Sequence, residues 1–420
     1  MNYFIKNIHI NKLFHLENID IPVANEKYPH LIITGKNGSG KTVLLNAIAE
    51  YLNKVKNERN LNFLKYGDEL KVWQRNLKTA KEKQNATEII KYQQYVEDYT
   101  NLVNYYFGKV IVDFSGATDN IRRILNKAQS GSFVITYFQA YRKVVMSEPK
   151  NPTKPKYNKR GDVKETATSQ FLNFMSDLKI QEALARNEKQ FDDADEINAW
   201  FVDFEKLLQQ IFQNDNLKLE FNYKDYSFKI CTEGKKFKFT QLSDGFAAAL
   251  DIVADLILKM QNDGSLTRAY EKEGIVLIDE IETHLHLGLQ KIIMPLLTRI
   301  FPNIQFIVTT HSPFVLNSMP DAVAYDLEHR KPIEDLSNYS YEALAEGYFG
   351  VSTESSAVEM RLSRLKELLE QEERTDAEKN EIRILITELD KVSEAVSPDL
   401  VGEYINLKLN HVNIIKEIGK

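Results

Sequence analysis

Apolar and polar positions along the chain divide it into short strands and longer helices. Ile5-Lys6-Asn7-Ile8-His9-Ile10 and Ile19-Asp20-Ile21 mix the two kinds of residue as short, half-buried strands do. Leu31 to Thr34, Phe133 to Phe138, Ile275 to Ile278 and Ile304 to Val308 are nearly continuous apolar runs, the pattern of strands buried on both faces of a parallel sheet. Val43-Leu44-Leu45-Asn46-Ala47-Ile48-Ala49 has helical spacing, and the helix is expected to run to about Tyr51. A polar insertion follows, from about residue 53 to 107. Ile89, Tyr92, Val96, Tyr99, Val103 and Tyr106 recur in it at threes and fours, the stripe of a packed helix, while Lys71, Arg75, Lys78, Lys81 and Lys83 make its first half lysine-rich. Residues 169–213 read as helical and Leu217 to Phe239 as alternating strands. After about Ser337 the pattern is helical again: Val358, Leu362, Leu365 and Leu369 form one stripe and Ile382, Leu385, Leu389, Val392 and Val396 a second, which predicts a helical hairpin.

Composition narrows the class. The 420 residues are 43% hydrophobic and 27% charged, ordinary for a soluble globular protein, with no apolar run long enough for a membrane span. The first residues lack a signal-peptide layout, and the single cysteine, Cys231, suits a reducing compartment, so a cytoplasmic location is expected. A net charge of −6 argues against wholesale coating of nucleic acid. The segment 147–168 carries Lys150, Lys154, Lys156, Lys159 and Arg160 with few apolar residues, and a mobile basic loop is expected there.

The chemistry begins at Gly35-Lys36-Asn37-Gly38-Ser39-Gly40-Lys41-Thr42, a complete G-x-x-x-x-G-K-[ST] loop between a predicted strand and a predicted helix. Gly35, Gly38 and Gly40 let the backbone N–H groups turn in on phosphate oxygens together with those of Asn37 and Ser39. Lys41 can reach the β- and γ-phosphates, and the Thr42 hydroxyl can bind Mg²⁺. Ile275 to Ile278 end in Asp279-Glu280. At a strand end Asp279 can hold Mg²⁺ through water, and Glu280 can polarise an attacking water. His311, after the next apolar strand, can hydrogen-bond a γ-phosphate. Ser243 and Gly245 stand at the start of a predicted helix, where free N–H groups and a hydroxyl suit an anion.

These motifs, in this order, resemble those of the ATP-binding-cassette ATPases of the SMC, RecF and OLD-like group. Gly35 to Thr42 matches Walker A, Leu242 to Gly245 the cassette signature, Asp279-Glu280 Walker B, and His311 the switch histidine; Asp244 stands where the signature usually has glycine. Ile281 to His286 takes the place of the D-loop, in an acidic, His-containing form like that of the OLD-like branch. The resemblance implies an α/β P-loop NTPase with an ABC-type core, helical insertions and a C-terminal helical hairpin. It implies ATP and Mg²⁺ as cofactors, and Gln139 as the glutamine-loop residue at the metal. It also implies two subunits closing head to tail, with Ser243 and Gly245 acting on the neighbour's nucleotide. The expected organisation is an ATPase core over 1–336 and a helical region over 337–420 for oligomerisation or partner docking. A core without an acid cluster of nuclease type resembles the ATPase subunits of anti-phage systems such as Septu and PARIS, which work with a separate nuclease or toxin effector. A RecF- or SMC-like DNA-repair ATPase stays open as an alternative, as does a scaffold that holds a toxin with ATP as a structural ligand; DNA stays open as a ligand.

Overall fold

The computed structural model describes residues 3–23, 30–58, 60–116, 118–142, 146–149, 161–261, 270–319, 322–333, 341, 343–344, 356–371, 373–391 and 398–418. The chain divides into two compact units, residues 1–341 and 342–420.

In the first unit, strands β1 (Ile5–Leu13) and β2 (Leu16–Pro22) form a hairpin, and β3 (Leu31–Thr34) leads through the glycine loop into helix α1 (Lys41–Asn57). Helix α1 outruns the expected end at Tyr51, because Leu52 and Val55 continue its buried face. The insertion is a pair of antiparallel helices, α2 (Tyr66–Glu82) and α3 (Ala86–Phe107). They pack through aromatic rings: Trp73 lies 4.7 Å from Tyr95 between centroids, and Phe63, just before α2, lies 5.2 Å from Tyr106. Lys71, Arg75, Lys78, Lys81 and Lys83 are all exposed, as a solvated face requires.

Strand β4 (Val110–Phe114) pairs with β1 and completes a three-stranded antiparallel sheet, β2-β1-β4. Helix α4 (Thr118–Ser130) then leads to β5 (Phe133–Phe138), followed by helices α5 (Phe171–Asn187) and α6 (Phe191–Phe212) and a second antiparallel sheet of β6 (Lys218–Asn222), β7 (Ser227–Thr232) and β8 (Lys235–Lys238). Helix α7 (Asp244–Met260) is buried on nearly all sides from Ala248 onward, as its apolar composition dictates. Strand β9 (Glu273–Ile278), helix α8 (Leu287–Ile300), strand β10 (Ile304–Thr309), the short helix α9 (Pro313–Leu316) and strands β11 (Val323–Asp326) and β12 (Lys331–Ile333) finish the unit.

The central sheet has the order β12-β11-β3-β10-β9-β5, with all pairs parallel except β11–β12. Strand β10 thus lies between the strand that enters the glycine loop and the strand that ends in the acidic pair. Because the three run parallel, their C-terminal ends gather the glycine loop, Thr310-His311 and Asp279-Glu280 along one edge. Gln305, near the start of β10, ties the antiparallel sheet to the central sheet: its side-chain amide accepts from the Ile5 N–H at 2.7 Å and donates to the Ile5 carbonyl at 2.8 Å.

The expected mobile loop 147–168 is only partly accounted for. Lys150, Lys154, Lys156, Lys159 and Arg160 lie outside the described residues. Residues 161–168 are pinned to the core: the Val163 carbonyl accepts from the Tyr137 N–H at 2.8 Å, and the Ala167 N–H donates to Asp255 at 2.6 Å.

The second unit is more than a hairpin. Helices Ser356–Glu370 and Asp376–Leu389 pack their predicted stripes together, and two further helices, Pro398–Asn410 and Val412–Ile418, cover them with Tyr404, Leu407 and Ile418. The Thr375 hydroxyl and the Glu378 carboxylate cap the second helix reciprocally. Val392 and Val396, expected in the second stripe, lie outside the described residues.

Candidate functional site

The glycine loop is shaped by its backbone. Gly40 has φ +99°, and a side chain there would meet Leu16 Cδ1 at 2.8 Å, so both conformation and space demand glycine. Lys41, 5% exposed at the start of α1, folds its ammonium back onto the carbonyls of Gly35 (2.7 Å) and Lys36 (3.0 Å). Burial lowers its pKa, while Glu280, Glu282, Asp279 and Asp326 oppose that shift. The turn after β11 braces the loop from outside: Glu328 accepts from the Lys36 N–H at 3.2 Å and pairs with the Lys36 ammonium at 3.3 Å.

A cavity of about 340 Å³ opens beside this loop, within the roughly 300–1,000 Å³ usual for small-molecule sites. Asn37, Gly38, Gly40, Lys41, Thr42, Glu280 and His311 line it. Three separate sequence motifs, the glycine loop, the acidic pair and the histidine after β10, therefore supply a lysine, a hydroxyl, a carboxylate and an imidazole to one space. Thr42 is exposed and Glu280 is half-buried. The pKa of His311 is lowered, first by burial and then by the charge of Lys41, which favours the neutral imidazole.

Behind these groups the strand ends are laced together. The Thr309 hydroxyl donates to Asp279 at 2.6 Å and accepts from the Glu280 N–H at 2.8 Å. Glu282 accepts from the Thr310 hydroxyl at 2.8 Å and from the His311 N–H at 2.5 Å, and burial raises its pKa. Glu280 has φ +44°, a left-handed conformation uncommon outside glycine.

Other expected site residues do not line the cavity. Gly35 and Ser39 lie in the loop behind it, and Asp279, 1% exposed, stands at the strand end against Thr309. Gln139 is exposed just past the end of β5, and two strands, β9 and β10, separate β5 from β3. Ser243 is the N-cap residue of α7 and its side chain makes no capping bond; Gly245 packs so closely that a side chain there would meet the His284 carbonyl at 2.6 Å. His286 caps α8 by accepting from the Leu289 N–H. Among the described residues no group of three or more His, Cys, Asp or Glu could hold a metal by itself.

The structure also brings in residues that the sequence pattern did not mark. Phe14 and His15, in the turn between β1 and β2, line the cavity opposite the loop. Phe14 is 80% exposed with φ +52°, and His15 Nε2 lies 3.3 Å from the Ser39 carbonyl. The sequence pattern ends the first strand at Ile10 and begins the second at Ile19, and Phe14-His15 is not one of the Gly- or Asn-containing pairs that mark a tight hairpin turn, so no local signal singles these two out. Arg142, three residues past Gln139, reaches the carbonyls behind Glu280; no motif points to it.

A nucleoside triphosphate with Mg²⁺ fits this donor set. Among the described residues the Ser39 hydroxyl is buried without a partner in the loop that would wrap the phosphates, and the Lys41 ammonium donates to two loop carbonyls. Thr42 and Asp279 are hard oxygen donors of the kind Mg²⁺ takes.

Fold and site together define a P-loop NTPase with an ABC-type ATPase core. The family model described as "AAA domain, putative AbiEii toxin, Type IV TA system" matches residues 187–317. Over 405 residues, 92% of this chain, the protein is 26% identical to the Septu protein PtuA of Bacillus mycoides, of which it spans 50%. It is 47% identical over 81 residues, 19% of this chain and 15% of the relative, to the "Retron Ec83 probable ATPase" of Escherichia coli. The chain thus spans about half or less of the length of these relatives. The expected likeness to the ATPases of defence systems is borne out. Among solved structures, an SMC head bound to the C-terminal winged-helix domain of ScpA superposes with a TM-score of 0.37 at 14% identity, over 79% of this chain and 95% of that one.

Proposed function

We propose that the protein is an ATP-hydrolysing subunit of a bacterial anti-phage defence complex that controls a separate nuclease or toxin effector. The observation that carries the ATPase reading is the meeting of Lys41, Thr42, Glu280 and His311 in one cavity. In this reading Lys41 and the loop amides hold the phosphates. Thr42 and Asp279 would hold Mg²⁺, directly or through water, with Gln139 as a further oxygen donor to it. Bound Mg²⁺ neutralises charge on the phosphate oxygens. Glu280 takes the proton of the attacking water, and His311 donates a hydrogen bond to the γ-phosphate from a neutral imidazole.

Two copies close head to tail on two ATPs, each presenting Ser243 and Gly245 to the other's nucleotide. Assembly is then linked to nucleotide, because a ligand shared by the dimer stabilises it. The likeness to a Septu protein and to a retron ATPase supports the defence role. The test is a phage challenge of bacteria carrying the gene with its neighbours, in wild-type and Lys41→Ala form. The proposal expects protection by the wild type and none by the variant. Equal plaque counts with and without the wild-type genes, across a panel of phages, contradict the defence role.

A further inference from the structure

Arg142 is half-buried just beyond β5, and its guanidinium collects backbone carbonyls from two strand exits. Nη1 donates to the carbonyls of Asp279 at 3.2 Å and Gln139 at 3.4 Å; Nη2 donates to those of Glu280 at 3.3 Å and Ile281 at 3.4 Å. Three consecutive carbonyls facing one point make a local negative pole, and a planar fork with donors on both arms is the cation suited to it. The arrangement surrounds Glu280, whose left-handed backbone is unfavourable for a side chain and persists only where its surroundings impose it. The Thr309 hydroxyl holds the N–H of that residue, and Arg142 holds the carbonyls on and beside it.

The negative charges of Asp251 on α7, Glu282, Asp279 and Glu280 act on the guanidinium. Asp251 is 5% exposed, two turns along the helix that opens at Ser243, and burial raises its pKa to about 6.

We propose that Arg142 is a positioning residue that sets Glu280. The inference rests on the reading of Glu280 as the residue that activates water. The Gln139 segment takes part through its own carbonyl, so the exits of β5 and β9 are held by one side chain.

The test uses the full chain with Arg142→Ala and Arg142→Lys. ATP affinity is measured by calorimetry, kcat and KM by phosphate release, and amide exchange over residues 276–284. Arg142→Ala is expected to lower kcat by about tenfold or more while KM and ATP affinity stay within about threefold. Added guanidinium ion, below denaturing concentration, should restore part of that loss. Arg142→Lys should fold like the wild type and still lose kcat, since an ammonium cannot grip carbonyls on two sides. Exchange should rise at 279–282 in both.

Wild-type kcat in Arg142→Ala, or a loss of ATP affinity matching the loss of kcat, overturns the positioning role. If the wild type binds ATP without hydrolysing it, the functional reading fails, and the exchange comparison still decides whether Arg142 braces Glu280.

Discussion

The Asp279 carboxylate accepts a 2.6 Å hydrogen bond from the hydroxyl of Thr309, the last residue of the neighbouring strand. The same hydroxyl accepts from the Glu280 N–H, so one oxygen orients both acids of the pair. Thr309→Val keeps the side-chain volume and removes both bonds, leaving a buried N–H unpaired at about 1–3 kcal/mol. The expected result is a kcat lower by roughly tenfold or more with ATP affinity preserved, and recovery in Thr309→Ser, read by phosphate release and calorimetry. Full activity in Thr309→Val would show that the acids hold their positions without it.

Phe14 offers an exposed ring at the mouth of the cavity, across from the glycine loop. A ring stacked on the nucleotide base contributes about 0.5–1.5 kcal/mol, so Phe14→Ala should raise the KM for ATP roughly threefold to tenfold and leave kcat alone. Phe14→Tyr should bind as the wild type does. An unchanged KM in Phe14→Ala would place the base elsewhere.

Asp251 gives a pH dependence with a defined sign. Its folded pKa of about 6 lies above the ordinary 3.8, so the native state binds the proton more tightly than the unfolded chain. Its contribution to stability is present at low pH, is lost as pH rises from about 4 to 6, and stays lost above that; the full difference is ~3 kcal/mol. Asp251→Asn should therefore melt higher than the wild type at pH 7, with the gap closing toward pH 4. A variant that melts lower at pH 7 would show that the Arg142 charge outweighs burial of the carboxylate.

The elements were legible where one rule decided them. Strand β5 follows its apolar run residue for residue, and the acidic pair stands at the end of β9 as expected. The stop at Tyr51 was too early, because Asn53 and Lys54 lie on the solvent side of a helix whose buried face continues. The C-terminal hairpin was read correctly as far as it went, but Tyr404 and Leu407 cover it from a helix whose stripe is short. The contacts around the site were less accessible. The fork of Arg142 depends on β5 lying beside β9, and the place of Phe14 depends on Gln305 tying β1 to β10. Strand order is a property of the tertiary fold, and no local pattern encodes it.

Trans action can be tested without a structure of the assembly. Lys41→Ala removes the phosphate-binding charge, and Ser243→Arg obstructs the start of α7. In a head-to-tail dimer, a mixture of the two inactive subunits retains one composite site with both features intact. Mixing should restore part of the ATPase rate, up to about half per mixed dimer. No recovery in a mixture shown to co-assemble would exclude the head-to-tail arrangement.

The central claim is that Glu280 activates water in a site built by Lys41, Thr42 and His311. The most direct measurement is single-turnover ATP hydrolysis by Glu280→Gln beside calorimetric ATP binding. The account predicts binding within about threefold of the wild type and hydrolysis slower by roughly a hundredfold or more, with the ATP-bound assembly trapped and visible by light scattering. Hydrolysis by Glu280→Gln at the wild-type rate would contradict it.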